Sequence, residues 1–115
     1  MIADFLYLKD VYALSVKLTT NDTVVTAFLD GEIDHHSATV IRNEIDAEVE
    51  RTSPEVLVLD FKDVTFMDSS GIGLVMGRYK IMRPLGGELH VANTSPHIYK
   101  VMKLAGLDRI AKMDK

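Results

Sequence analysis

Three observations predict an α/β domain. Two β-rich segments open the patterned part of the chain, apolar residues then recur at helical spacing between strand-like runs, and one run, VLVLDF at 56–61, is almost continuously apolar. Strands that alternate with helices need crossover connections, hence parallel strands in one sheet with helices laid over it.

Residues 14–19, LSVKLT, alternate apolar and polar side chains, and residues 24–30, VVTAFLD, are rich in β-formers. The intervening TNDT is turn chemistry, so a β-hairpin is expected. Ala38, Ile41, Ile45 and Val49 line one face of a helix over 37–50, which stops near Ser53 and Pro54. VLVLDF then reads as a central strand covered on both faces. A second helix is expected from about Ser70 to Met82, ending before Pro84-Leu85-Gly86-Gly87. Gly73 and Gly77, four apart on one face, are expected to let this helix approach the sheet closely. ELHVAN at 88–93 is a further strand, and Ser95-Pro96 caps and starts a third helix whose apolar positions Ile98, Val101, Met102 and Ala105 lead to Gly106. LDRIAKM at 107–113 is a short, charged candidate for an edge strand. Residues 1–13, with Ile2, Phe5, Leu6, Leu8, Val11 and Tyr12, are compatible with a strand, a short helix or a partner-binding segment.

Bulk properties narrow the function. A chain of 115 residues with 47% hydrophobic content has the size and core of one domain. Its net charge of −4 and pI near 5.5 give none of the basic footprint that a phosphate backbone requires, so direct nucleic-acid binding is not expected. Without cysteine there is no disulfide framework and no thiolate metal site, which fits the cytoplasm. No apolar run reaches the roughly 20 residues of a membrane span, and MIADFLYLKD lacks the basic start and cleavage site of a secretory signal, so no membrane association is expected.

The chemistry concentrates in FMDSSGIGLVMGRYK, residues 66–80, where an apolar strand gives way to an acid, two hydroxyls and a glycine-opened helix. The plainest reading is a cap in which Asp68, Ser69 or Ser70 accepts hydrogen bonds from the first helical turn. A dinucleotide turn fails because Gly71-Ile72-Gly73 is followed by Met76 where the third glycine belongs, and no acid ends the next strand. A phospho-acceptor aspartate at Asp60 lacks the acidic pair and late lysine that receiver domains need. Hydrolase chemistry has no nucleophile elbow and no evident base for Ser69. His35 and His36, read as adjacent residues of an extended segment, point to opposite faces and make no metal site. There remains covalent modification: a serine before a helix N-terminus is exposed, and a phosphate there meets free N–H groups and the positive end of the helix dipole. Asp30, Glu32, Asp34, Asp60, Asp63 and Asp68 stand against the single base Lys62 in the two segments that flank it. If those segments converge, a phosphate adds about −1.5 to −2 charges to an acidic surface and acts as a switch.

GEIDHHSA at 31–38, FMDSSGIG at 66–73 and GRYK at 77–80, at these spacings, closely resemble the sporulation-type anti-sigma-factor antagonists of the STAS domain family, over roughly residues 14–110. The resemblance implies the STAS fold, a mixed central sheet with helices packed mainly on one side, in a domain spanning 14–115 behind an N-terminal extension at 1–13. It implies a binding module without catalytic residues, cofactor or metal, phosphorylated on Ser69. Asp34, His35, His36, Asp68, Ser70, Gly71 and Gly73 fall in the regions that meet the partner. That partner is an anti-sigma factor serine kinase, bound by the unphosphorylated form so that a sigma factor is freed; phosphorylation ends the contact and a PP2C-type phosphatase resets it. Since Ser69 lacks a local base, base, ATP and metal are expected from the kinase. The protein is expected to be a monomer or weak dimer. The alternative is a scaffold STAS module of a signalling assembly without a sigma-factor circuit. Two features depart from the family pattern, the lead MIADFLYLKDVYA and the stop at Lys115 where relatives commonly continue into a final helix.

Overall fold

The computed structural model describes residues 15–114. The expectations for residues 1–13 lie outside them. Strand β1 (Val16–Asn21) turns through Asp22 and Thr23 into β2 (Val24–Ile33), followed by helix α1 (His35–Thr52), β3 (Val56–Met67) and α2 (Ser69–Met82). A 3-10 turn (Arg83–Leu85) leads to β4 (Glu88–Ala92), α3 (Pro96–Leu104), a second 3-10 turn (Leu107–Arg109) and the two-residue β5 (Lys112–Met113).

The sheet is mixed, in the order β1-β2-β3-β4-β5, with β1 antiparallel to β2 and every later pair parallel. Each β-α-β crossover therefore steps the same way along the sheet. Right-handed crossovers then put all three helices on one face. Val25, Ala27, Leu29, Leu57, Leu59, Phe61, Leu89 and Val91 point into that layer and meet Ile41, Ile45 and Val49 of α1, Leu74, Val75 and Met82 of α2, and Ile98 and Met102 of α3 in one cluster.

Several expectations are corrected here. VLVLDF is not covered on both faces: Leu57, Leu59 and Phe61 are buried, whereas Val56, Val58 and Asp60 on the opposite face are half-exposed. A one-sided helical layer covers alternate residues only, and the unbroken apolar run concealed that period. The strand also runs six residues further, to Met67, because the polar stretch after Phe61 still pairs with β2. Helix α1 begins at His35 rather than 37, so the two histidines are consecutive helical positions, not opposite faces of a strand. Near the end of β2 the register shifts at Phe28/Asp30 and at Gly31/Glu32, and Gly31 there takes φ +81°, a conformation that side chains oppose. The tail does form an edge strand, parallel to β4.

Candidate functional site

The parallel register of β2 and β3 builds the site. Ile33 pairs with Met67, and the Asp68 N–H donates to the Ile33 carbonyl at 3.1 Å. The next residue of each strand is an aspartate that opens a helix, so two N-caps and two helix N-termini stand side by side. Five acids, Asp30, Glu32, Asp34, Asp63 and Asp68, lie along the C-terminal halves of these strands and at their ends, and Asp60 sits nearer the middle of β3.

Asp34 caps α1 reciprocally. Its Oδ1 accepts from the Ser37 N–H at 2.9 Å, and the Ser37 hydroxyl oxygen accepts from the Asp34 N–H at 3.0 Å while donating to the Glu32 carbonyl at 2.8 Å. The Ser37 N–H, which favours the carboxylate, holds the Asp34 carboxyl below its ordinary range. His35 and His36 follow as the first helical residues and both are exposed; the His36 N–H also approaches the Asp34 carboxylate. Among the described residues no cluster of His, Asp or Glu is arranged to hold a metal ion.

Asp68 caps α2 from extended backbone, its Oδ1 accepting from the Ser70 N–H at 2.8 Å and its carbonyl from the Gly71 N–H at 3.0 Å. The acid, not Ser70, therefore serves the helix start. Ser69 is the first helical residue, is exposed, and its hydroxyl makes no hydrogen bond among the described residues. Among the described residues no general base touches it. Asp60 is otherwise occupied: its carboxylate accepts from the Lys62 N–H and from the Asn93 side chain, both at 2.9 Å.

Ser70, half-buried, turns instead into a shallow groove of about 350 Å³ between α1 and α2. His35, Thr39 and Arg42 form one wall; Gly73 and Gly77 leave the other bare. A Cβ on Gly73 or Gly77 would meet nothing within 4 Å, so these glycines do not draw the helix onto the sheet, and that expectation fails. Gly71 is the tight position, where a Cβ would fall 2.2 Å from Met67 Cγ. Arg78 closes the groove floor at 4% exposure, with Nε 2.9 Å from Asp46 Oδ1, too oblique for a hydrogen bond, and Nη2 hydrogen-bonded to Oδ2 at 3.4 Å. Burial lowers the Arg78 pKa and raises that of Asp46; the attraction between them opposes both shifts.

The site thus unites the two motif regions that the sequence had placed 34 residues apart, Asp34 and Asp68. Arg42 and Thr39 were missed, although their spacing of seven and four from His35 marks one helix face.

Comparison with known proteins gives the family and the fold. The STAS domain pattern matches residues 15–115. The anti-sigma F factor antagonist of Paenibacillus polymyxa is 35% identical over 97 residues, covering 84% of this chain and 83% of its own length. The unphosphorylated form of the anti-sigma factor antagonist SpoIIAA superposes with TM-score 0.76 at 31% identity, covering 87% of this chain and 88% of its own. The phosphorylated form of the Bacillus cell fate determinant SpoIIAA gives 0.70 at 31% identity, over 87% and 91%. The chain belongs to the STAS domain family, among its anti-sigma-factor antagonists.

Proposed function

We propose that this antagonist, which regulates by binding and not by catalysis, is switched at Ser69. The observation that carries the reading is the Ser69 hydroxyl itself, exposed, without a hydrogen bond among the described residues, and set at the first helical position next to the capping Asp68. In the unphosphorylated form the acidic surface around Asp34 and Asp68 docks an anti-sigma factor serine kinase, with His35, His36, Ser70, Gly71 and Gly73 in the contact region, and a sigma factor is freed. The Ser69 oxygen then attacks the γ-phosphorus of ATP held by the kinase. A new O–P bond forms, the bond to ADP breaks, and the hydroxyl proton passes to a base of the kinase. At the start of α2 the phosphate is tolerated by the helix dipole. Its added charge of about −1.5 to −2 beside Asp68 and Asp34 repels the partner without unfolding the helix. A phosphatase of the PP2C type hydrolyses the ester and restores binding.

The test is incubation with the cognate kinase and ATP, followed by peptide mapping. Phosphate is expected on Ser69 and absent from Ser69→Ala; equal labelling of that variant refutes the assignment. Ser69→Asp is expected to bind the kinase more weakly with an unchanged circular dichroism spectrum, and unaltered binding would rule out repulsion as the switch.

A further inference from the structure

Phe66 is 52% exposed at the end of β3, an unusual place for a phenyl ring. Across the β2–β3 register it faces Glu32, and Asp30 pairs with Asp63 just below; all three acids are exposed and none enters an ion pair among the described residues. The result is an aromatic knob in an acidic collar. Toward the opposite end of α2 lies its counterpart. Met76, Tyr79, Pro84 and Ile110 line a depression of about 300 Å³, rimmed by Lys80 and Arg83. Both cations are exposed and form neither an ion pair nor a side-chain hydrogen bond among the described residues, and Met76 in the hole is itself 44% exposed.

Knob and hole are both apolar, and the charges around them are opposite in sign. They cannot meet within one molecule. Phe66 precedes the N-terminus of α2, whereas the hole extends from Met76 within the helix to Pro84 past its C-terminus, about 10 to 20 Å along the axis by the helix rise. We propose that the hole is filled by Phe66 of a second copy of this chain. The bond joins unlike surfaces, so each added copy presents a fresh knob and a fresh hole, and association is head-to-tail and open-ended rather than a closed dimer. Acids over cations make it salt-sensitive, and Phe66 beside Lys80 and Arg83 adds a cation–π contact. Ser69 lies three residues beyond the knob, so the assembled form shields the end of the molecule that carries it. The proposal stands whatever the role of Ser69.

Sedimentation velocity on the full chain tests it. At low ionic strength the weight-average sedimentation coefficient is expected to climb past the dimer value as concentration rises, and to return to the monomer value near 1 M salt, where the Debye length is about 3 Å. Phe66→Ser, and Lys80→Glu combined with Arg83→Glu, should each remain monomeric with native circular dichroism. Mixed in equal amounts, the two variants retain one good hole and one good knob, so they should form a particle that stops at two copies. A wild-type chain that stays monomeric at low salt, an assembly that stops at a dimer, or variants that associate like wild type would each overturn the proposal, as would a mixture that stays monomeric.

Discussion

Asp34 and Asp68 occupy equivalent positions on adjacent parallel strands, each one residue past the Ile33–Met67 pair and each accepting a hydrogen bond from the first turn of the helix it opens. Two parallel strands that end in register and feed two helices bring both helix N-termini to one edge. The local rule of capping and the global rule of crossover handedness thus produce the surface together. It is negative because each cap is an aspartate.

Removing one cap separates its structural role from its charge. Asp68→Ala is expected to cost about 1 kcal/mol, lowering the melting temperature by about 4–8 °C for a domain of this size. Asp68→Asn keeps a side-chain oxygen for the Ser70 N–H and should stay close to wild type in thermal denaturation. If Asn also melts early, the carboxylate charge and not the hydrogen bond is what stabilises α2.

The Asp34 cap predicts a sign for the pH dependence. Its folded carboxyl is held below the ordinary value, chiefly by the Ser37 N–H, so the folded state binds its proton more weakly than the unfolded chain does. The stability this contributes is fully present above the unfolded value, near pH 4, and is lost as pH falls through the lower folded value. Denaturant midpoints measured from pH 6 down to 2 should fall more steeply for the wild type than for Asp34→Asn.

Glycine substitutions should go in opposite directions along a single helix. Gly77→Ala adds a Cβ into open space and is expected to stabilise α2 by roughly 0.5–1 kcal/mol, whereas Gly71→Ala meets the Met67 side chain and should destabilise it. Equal effects at the two positions, read from melting temperatures, would contradict the packing described.

The Arg78–Asp46 pair joins α2 to α1 beneath the groove. Arg78→Ala removes a buried side chain but leaves the Asp46 carboxylate, 37% exposed, within reach of water, so a loss of about 1–3 kcal/mol is expected in urea unfolding. Arg78→Met with Asp46→Leu should recover most of it, since an ion pair with one member buried and an apolar pair of similar volume are often nearly equal in stability. A double variant as unstable as Arg78→Ala would show that the pair is a net stabiliser.

The order of elements was legible in the sequence because each is encoded locally: period two in VVTAFLD, period three to four through Ile41, Ile45 and Val49, and Ser95-Pro96 before the last helix. The region around Ser69 was legible through short-range capping chemistry, whereas the region around Asp34 stood out through its resemblance to the family motif. Only the tertiary structure decided what depends on register and crossover. It brought Asp34 beside Asp68, gave the cap to Asp68 and left the Ser69 hydroxyl without a partner among the described residues, committed Asp60 to Asn93, and set Arg42 opposite bare glycines. It also showed that VLVLDF has an open face, because helices stepping one way along a sheet can cover only one side of it.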